Sequence, residues 1–116
     1  MREDEQLRYR DLAQRESPDA VLVLTQGGQI LRWNAGATAI FGYTDTEAVG
    51  QLLTVLTVPA DRLAEEARVL AQTLVRGAHR FEALRRRKDG TLVYVDVSST
   101  VVRESADGAP LILETE

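Results

Sequence analysis

The chain carries one histidine, no cysteine and a single dense basic run, and these limits decide which chemistry is open to it. A catalytic triad or a metal site built on His79 would need a positioned partner for each ring nitrogen, and no nearby spacing supplies one. Its place after Gly77-Ala78, at the mouth of a strand-like run, predicts a solvent-exposed ring. The lack of cysteine removes thiolate metal sites, disulfides and sulfur nucleophiles, and is compatible with a reducing cytoplasm. Glu65-Glu66 offers a carboxylate pair for acid–base work, yet adjacent helical positions point about 100° apart. Both are expected on a solvated face. In Arg85-Arg86-Arg87-Lys88 the side chains of an alternating strand divide between two faces. One reading is a charged hairpin that protects a sheet edge; the other turns one arginine inward to pair with an anionic ligand. No catalytic and no metal-binding residue is assigned.

Composition narrows the partners. The 116 residues carry a net charge of -4, and the pI near 5.0 leaves no clustered basic face for nucleic acid. Apolar runs such as Ala20 to Leu24 fall far short of the roughly 20 residues that span a bilayer. The acidic N-terminus lacks the basic-then-apolar order of a signal peptide. A soluble, cytoplasmic chain without membrane contact is expected, about one domain in length.

The elements that position these residues follow from spacing. Within residues 1–16, Leu7, Tyr9, Leu12 and Ala13 suggest a short, weakly amphipathic helix. Ser17-Pro18-Asp19 breaks it, which divides a flanking helix (1–16) from a domain (17–116). Val21 to Leu24 and Ile30 to Trp33 read as a hairpin joined through a two-residue Gly27-Gly28 loop. Asn34 then stands before Ala35 to Phe41 as an N-cap, with Gly42 as the C-terminal stop. Alanine in its place should cost on the order of 1 kcal/mol, and aspartate should cap equally well. Thr44 and Glu47 form a capping box for a single turn closed by Gly50. A longer helix spans about Asp61 to Arg76, with Leu63, Ala67, Leu70, Ala71 and Leu74 on its core face and Gly77 as its stop. Phe81 to Arg87, Leu92 to Arg103 and Leu111 to Glu114 are strands separated by Asp89-Gly90 and Asp107-Gly108. On the second of them, the face carrying Val93, Val95, Val97, Ser99 and Val101 should meet the helices. Two strands, several helices and three strands imply an α+β domain: five antiparallel strands with the helices on one face.

The outer face of that sheet is the other notable feature. Val21 and Val23 are expected on one side of the first strand and Leu22 and Leu24 on the other, and Leu111-Ile112-Leu113 is likewise apolar on both faces. Such strands imply a cover on the second face. A homodimer about a two-fold axis is the expected cover, with Leu7, Tyr9, Leu12, Ala13, Leu22 and Leu24 at the interface; the alternative is a monomer whose own N-terminal helix folds over its sheet.

Five segments in order, from about Ser17 to Glu116, resemble PAS domains: SPDAVLVL, GGQILRWNAGATAIFGYTDTEAVGQ, Pro59-Ala60-Asp61-Arg62 ahead of the long helix, RRRKDGTLVYVDVSST, and a last strand. The resemblance implies a sheet with helices packed around a small-molecule cavity. It also implies a sensory or dimerising role, without catalysis, in a multidomain signalling protein such as a histidine kinase, with an output domain elsewhere in the parent chain. The alternative, a free-standing carrier or enzyme using the same cavity, has little histidine and no cysteine to work with. Val23, Ile40, Leu52, Leu56, Leu63, Leu70, Leu74, Val95 and Val97 are the expected cavity lining, so a small organic ligand would meet an apolar pocket. The resemblance also implies a structural Asn34.

No cofactor is expected. The adduct cysteine of the light-sensing LOV branch would fall at Leu53, which excludes that photochemistry while leaving noncovalent flavin open. The helix that carries the haem histidine in oxygen-sensing members has none across residues 61–76. The purified protein should be colourless: visible absorption should show neither a flavin band nor, after incubation with haem, a Soret band.

Overall fold

The computed structural model describes residues 19–102 and 108–116. The expected flanking helix of residues 1–16, with Leu7, Tyr9, Leu12 and Ala13, and the boundary that follows it lie outside the described residues, as does Asp107.

Hydrophobic alternation and turn residues build one antiparallel sheet from β1 (Val21–Leu24), β2 (Ile30–Trp33), β3 (Ala78–Arg86), β4 (Leu92–Val102) and β5 (Leu111–Thr115). The strand order is β2-β1-β5-β4-β3, which puts the last strand at the centre between the two hairpins. Between β2 and β3 run α1 (Ala35–Phe41), α2 (Asp45–Ala48), α3 (Leu53–Leu56), a 3-10 turn (Ala60–Arg62) and α4 (Leu63–Arg76). The capping box at Thr44 and Glu47 is formed, and Gly42 and Gly77 end α1 and α4 with φ of 88° and 85°. The turn α3 lacks a side-chain cap, so nothing in the sequence marked it.

The first hairpin departs from the expected two-residue loop. Thr25 and Gln29 pair through Thr25 N–H to Gln29 C=O, and only Gly28 of the two glycines has a positive φ, 87°. This is a three-residue connection ending in a left-handed glycine.

The apolar core lies beneath α1 to α3. Leu22, Leu24, Ile30, Trp33 and Ile112 from the sheet meet Ala37, Phe41, Ala48, Leu53, Leu56 and Val58. The rings of Trp33 and Phe41 sit 5.8 Å apart in a tilted pair, and the indole N–H donates to the Tyr43 carbonyl at 3.0 Å. Leu22 and Leu24 are therefore core residues, fully buried, and not part of an outer interface. A strand apolar on both sides does not reveal which side faces the helices; packing against Ile30 and Phe41 settles it. Val23, half-buried, then faces outward.

Asn34 joins these pieces. Its Oδ1 accepts from Ala37 N at 2.9 Å and from Val21 N at 2.8 Å, and its Nδ2 donates to the Asp19 carbonyl at 3.1 Å. The residue thus caps α1 and ties it to the start of β1. Asn34→Ala should cost about 1–2 kcal/mol in denaturant melts. Asn34→Asp should fall between alanine and wild type, because a carboxylate keeps both accepted bonds but cannot donate to Asp19.

Candidate functional site

Beneath α4 the interior changes character. The inner face of β5 passes from Ile112 to Glu114 and on to Glu116, that of β4 carries Ser99 between Val97 and Val101, and that of β3 carries Arg85. All four polar side chains are at most 9% exposed. From above, α4 turns Glu66, Val69 and Thr73 downward. Arg85 binds Glu66 Oε2 through Nη1 at 3.1 Å and Glu116 Oε1 through Nε at 3.1 Å. Ser99 Oγ donates to Glu114 Oε2 at 3.3 Å. Thr73 Oγ1 is engaged with the Val69 carbonyl of its own helix.

One guanidinium thus faces three carboxylates, and the arithmetic of charge governs the site. Burial alone would lower the Arg85 pKa, but Glu116 and Glu66 outweigh it and raise the value, so the cation is permanent. Burial pushes Glu66 up, and Arg85 only partly opposes this. The two ends of the pair respond differently because the single cation is shared among carboxylates that repel one another. Burial drives Glu114 well above the ordinary carboxylate range, reinforced by Glu116 and Glu66. Arg85 Nη2, Glu66 Oε1, Glu114 Oε1 and Glu116 Oε2 are buried without a hydrogen-bond partner. Such a cluster can hold protons and hydrogen-bond a polar guest. Among the described residues no group of three or more histidine or carboxylate side chains is placed to hold a metal.

The structure divides the residues expected to line a cavity. Leu56 and Val97 are buried, and Ile40, Leu70, Leu74 and Val95 are half-buried. Leu52 and Leu63 are surface residues, 45% and 44% exposed, and Val23 lies on the opposite face of the sheet. The expectations for Glu66 and for the core face of the long helix are overturned together. With Glu66 turned inward towards Arg85, the apolar stripe rotates away and leaves Leu63, Ala67 and Ala71 exposed. His79 is half-buried and stacked on Phe81, with centroids 5.4 Å apart, not an exposed ring.

The basic run divides between the interior and the sheet edge. Arg85 enters the interior, but it meets carboxylates of this chain. The others tie the edge strand β3 to the helices: Arg86 Nη2 donates to the Val55 carbonyl, Arg87 Nε to the Ile40 carbonyl, and Lys88 Nζ pairs with Glu47 at 2.6 Å. A groove of about 410 Å³, lined by Arg80, Asp96, Ser98 and Thr115 among others, reaches the buried cluster only at Glu116.

Removing Arg85 would strand three acidic groups in the interior. Arg85→Met should cost about 3–5 kcal/mol at neutral pH, with part recovered in mild acid as the carboxylates take up protons. Urea melts at two pH values measure both; a loss below about 1 kcal/mol would equal that of a surface pair and contradict the buried role.

With this geometry in place, the comparisons with known proteins agree. A sequence model of the PAS fold matches residues 8–113. Two-component system protein A of Emericella nidulans is 34% identical over 95 residues, which is 81% of this chain and 14% of that protein. The chain therefore spans about a seventh of the length of the curated relative it matches. The PAS domain of a protein from Colwellia psychrerythraea superposes with a TM-score of 0.80 at 24% identity, covering 96% of this chain and 95% of that one. A PAS domain from a two-component sensor histidine kinase superposes with a TM-score of 0.78 at 12% identity, over 98% and 96% of the two chains. A family match over nearly the whole chain, together with the fold it shares with these solved PAS domains, makes this protein a member of the PAS family.

Proposed function

We propose that this PAS domain is a non-catalytic sensory module of a larger two-component signalling protein, a histidine kinase, and that it works through homodimerisation. The observation that carries this reading is the outer sheet face. Val23 of β1 pairs in register with Leu113 of β5, with Leu111 two residues away on the same side, and all three are half-buried. Farther across, Leu84 of β3 opposes Tyr94 of β4, which is 64% exposed. Apolar groups on the side away from the helices favour a covering partner. A second copy, brought in with its residues 1–16, supplies one with two-fold symmetry. Val23, Leu111 and Leu113 take the place that Leu22 and Leu24 held in the sequence-based interface.

The interior supports sensing over catalysis, because its charged groups are buried away from solvent and most of their bonds are to one another. The reading requires neither haem nor flavin. Its output domain would lie elsewhere in the parent chain, and its location would be cytoplasmic. No helix among the described residues is long and apolar enough to cross a membrane. Mass spectrometry of small molecules released on denaturation would identify a bound ligand.

Sedimentation equilibrium at micromolar concentration should report a dimer. Leu113→Lys, or deletion of residues 1–16, should shift it to monomer. A wild-type monomer whose mass neither change alters would refute the dimeric reading.

A further inference from the structure

We propose that Glu114 carries a proton inside the fold and donates it as a hydrogen bond to Glu116, and that its loss as pH rises loosens the link that Arg85 makes between the end of β5 and α4. This goes beyond the dimeric sensory reading and does not depend on it, because the pair lies on the inner face of the sheet.

Glu114 lies on β5 and Glu116 one residue past its end, where its backbone still pairs with Ala20, so the two side chains project from the same face. Glu114 is fully buried, and Glu116 is 9% exposed, at the point where the groove reaches it. Each has one carboxylate oxygen engaged and one orphaned. Ser99 satisfies Glu114 Oε2, and Arg85 Nε satisfies Glu116 Oε1. Glu114 Oε1 and Glu116 Oε2 are left without a partner. Two acceptors cannot satisfy each other, but one proton on Glu114 turns the arrangement into a donor facing an acceptor.

The surroundings offer no other remedy. From β3 come Arg85, already bonded to Glu66 and Glu116, and His79, which sits opposite Ser99. From β4 comes Ser99 and from α4 the carboxylate of Glu66, while β1 presents Leu22 directly opposite Glu114. With all three glutamates ionised the cluster would carry two excess negative charges in a desolvated interior, which is expensive. A proton removes one of them. A hydrogen bond to Glu116 is among the influences that favour the protonated form of Glu114.

The direction of the pH effect follows. An acid whose folded pKa lies above its unfolded value of 4.5 binds more protons in the folded state. Its stabilisation is fully present below that unfolded value and is lost as pH climbs through the raised, folded one. For a single proton the folding constant falls by up to about tenfold per pH unit across that window. The ordinary behaviour of paired surface carboxylates is the reverse.

The test is a series of urea melts on the full chain from mildly acidic to alkaline pH, for wild type, Glu114→Gln and Glu66→Gln. Glutamine keeps the volume of Glu114, and its amide can donate to Glu116 as the proton does. The wild-type folding constant should fall with rising pH, Glu114→Gln should flatten that slope by about one proton, and Glu66→Gln should retain most of it. Parallel profiles for wild type and Glu114→Gln would overturn the proposal, as would a slope that disappears with Glu66 instead. Should Glu114→Gln fail to fold, carbon NMR of glutamate-labelled wild type decides: one carboxyl should titrate well above the others, with amide shifts in α4 and β5 following it. Glutamates that all titrate in the ordinary carboxylate range would end the proposal.

Discussion

An arginine on the inner face of an edge strand must either leave the core or bring its counter-charges inside, and in this protein it brings them. Arg85 is 1% exposed and draws Glu66 from α4 and Glu116 from the end of β5. Much of the remaining architecture follows from that choice. To reach Arg85, α4 rotates so that Glu66, Val69 and Thr73 point down, and Leu63 and Val75 are left 44% and 87% exposed. An amphipathic helix left to apolar burial alone would face the sheet with its leucines. Buried ion pairs seldom add net stability over a well-packed apolar replacement, but removing one member is costly. The cluster therefore fixes how α4 sits on the sheet more than it adds to the total.

The three residues after Arg85 extend the same logic along the surface. Arg86, Arg87 and Lys88 bind the Val55 carbonyl, the Ile40 carbonyl and the Glu47 carboxylate in turn, while the Arg86 N–H bonds the Thr57 carbonyl. The run satisfies carbonyls near the ends of α1 and α3 and covers part of an exposed strand edge. It holds the helical layer to β3, opposite the place where Asn34 holds it to β1. Between these two anchors lies an interior with an apolar half under α1 to α3 and a charged half under α4. β5 crosses both, with Ile112 in the first and Glu114 and Glu116 in the second. A change of charge in the polar half acts directly on the central strand, whose other face carries the apolar groups Leu111 and Leu113.

Local rules were enough to read most of the fold from the amino acids. Asn34 before a run of small helix formers, Thr44 three residues ahead of Glu47, and Gly77 after Arg76 each mark a boundary through backbone chemistry within one helical turn. Alternating valines in β4 marked the face turned to the helices, and glycine-bearing turns marked the hairpins; together these determined five antiparallel strands with a helical layer. What only the tertiary structure decided depends on partners distant in the chain. Glu66 and Arg85 are 19 residues apart, and Arg85 and Glu116 are 31 apart. A charged side chain read alone belongs in water, because nothing in its neighbourhood shows that a counter-charge waits in the core. Leu22 and Leu24 were misplaced for the same kind of reason: an alternating strand that is apolar on both sides carries no local mark of which side the helices will cover. Burial of a charge and the facing of a symmetric strand are properties of the assembled layers, and only the assembled layers determine them.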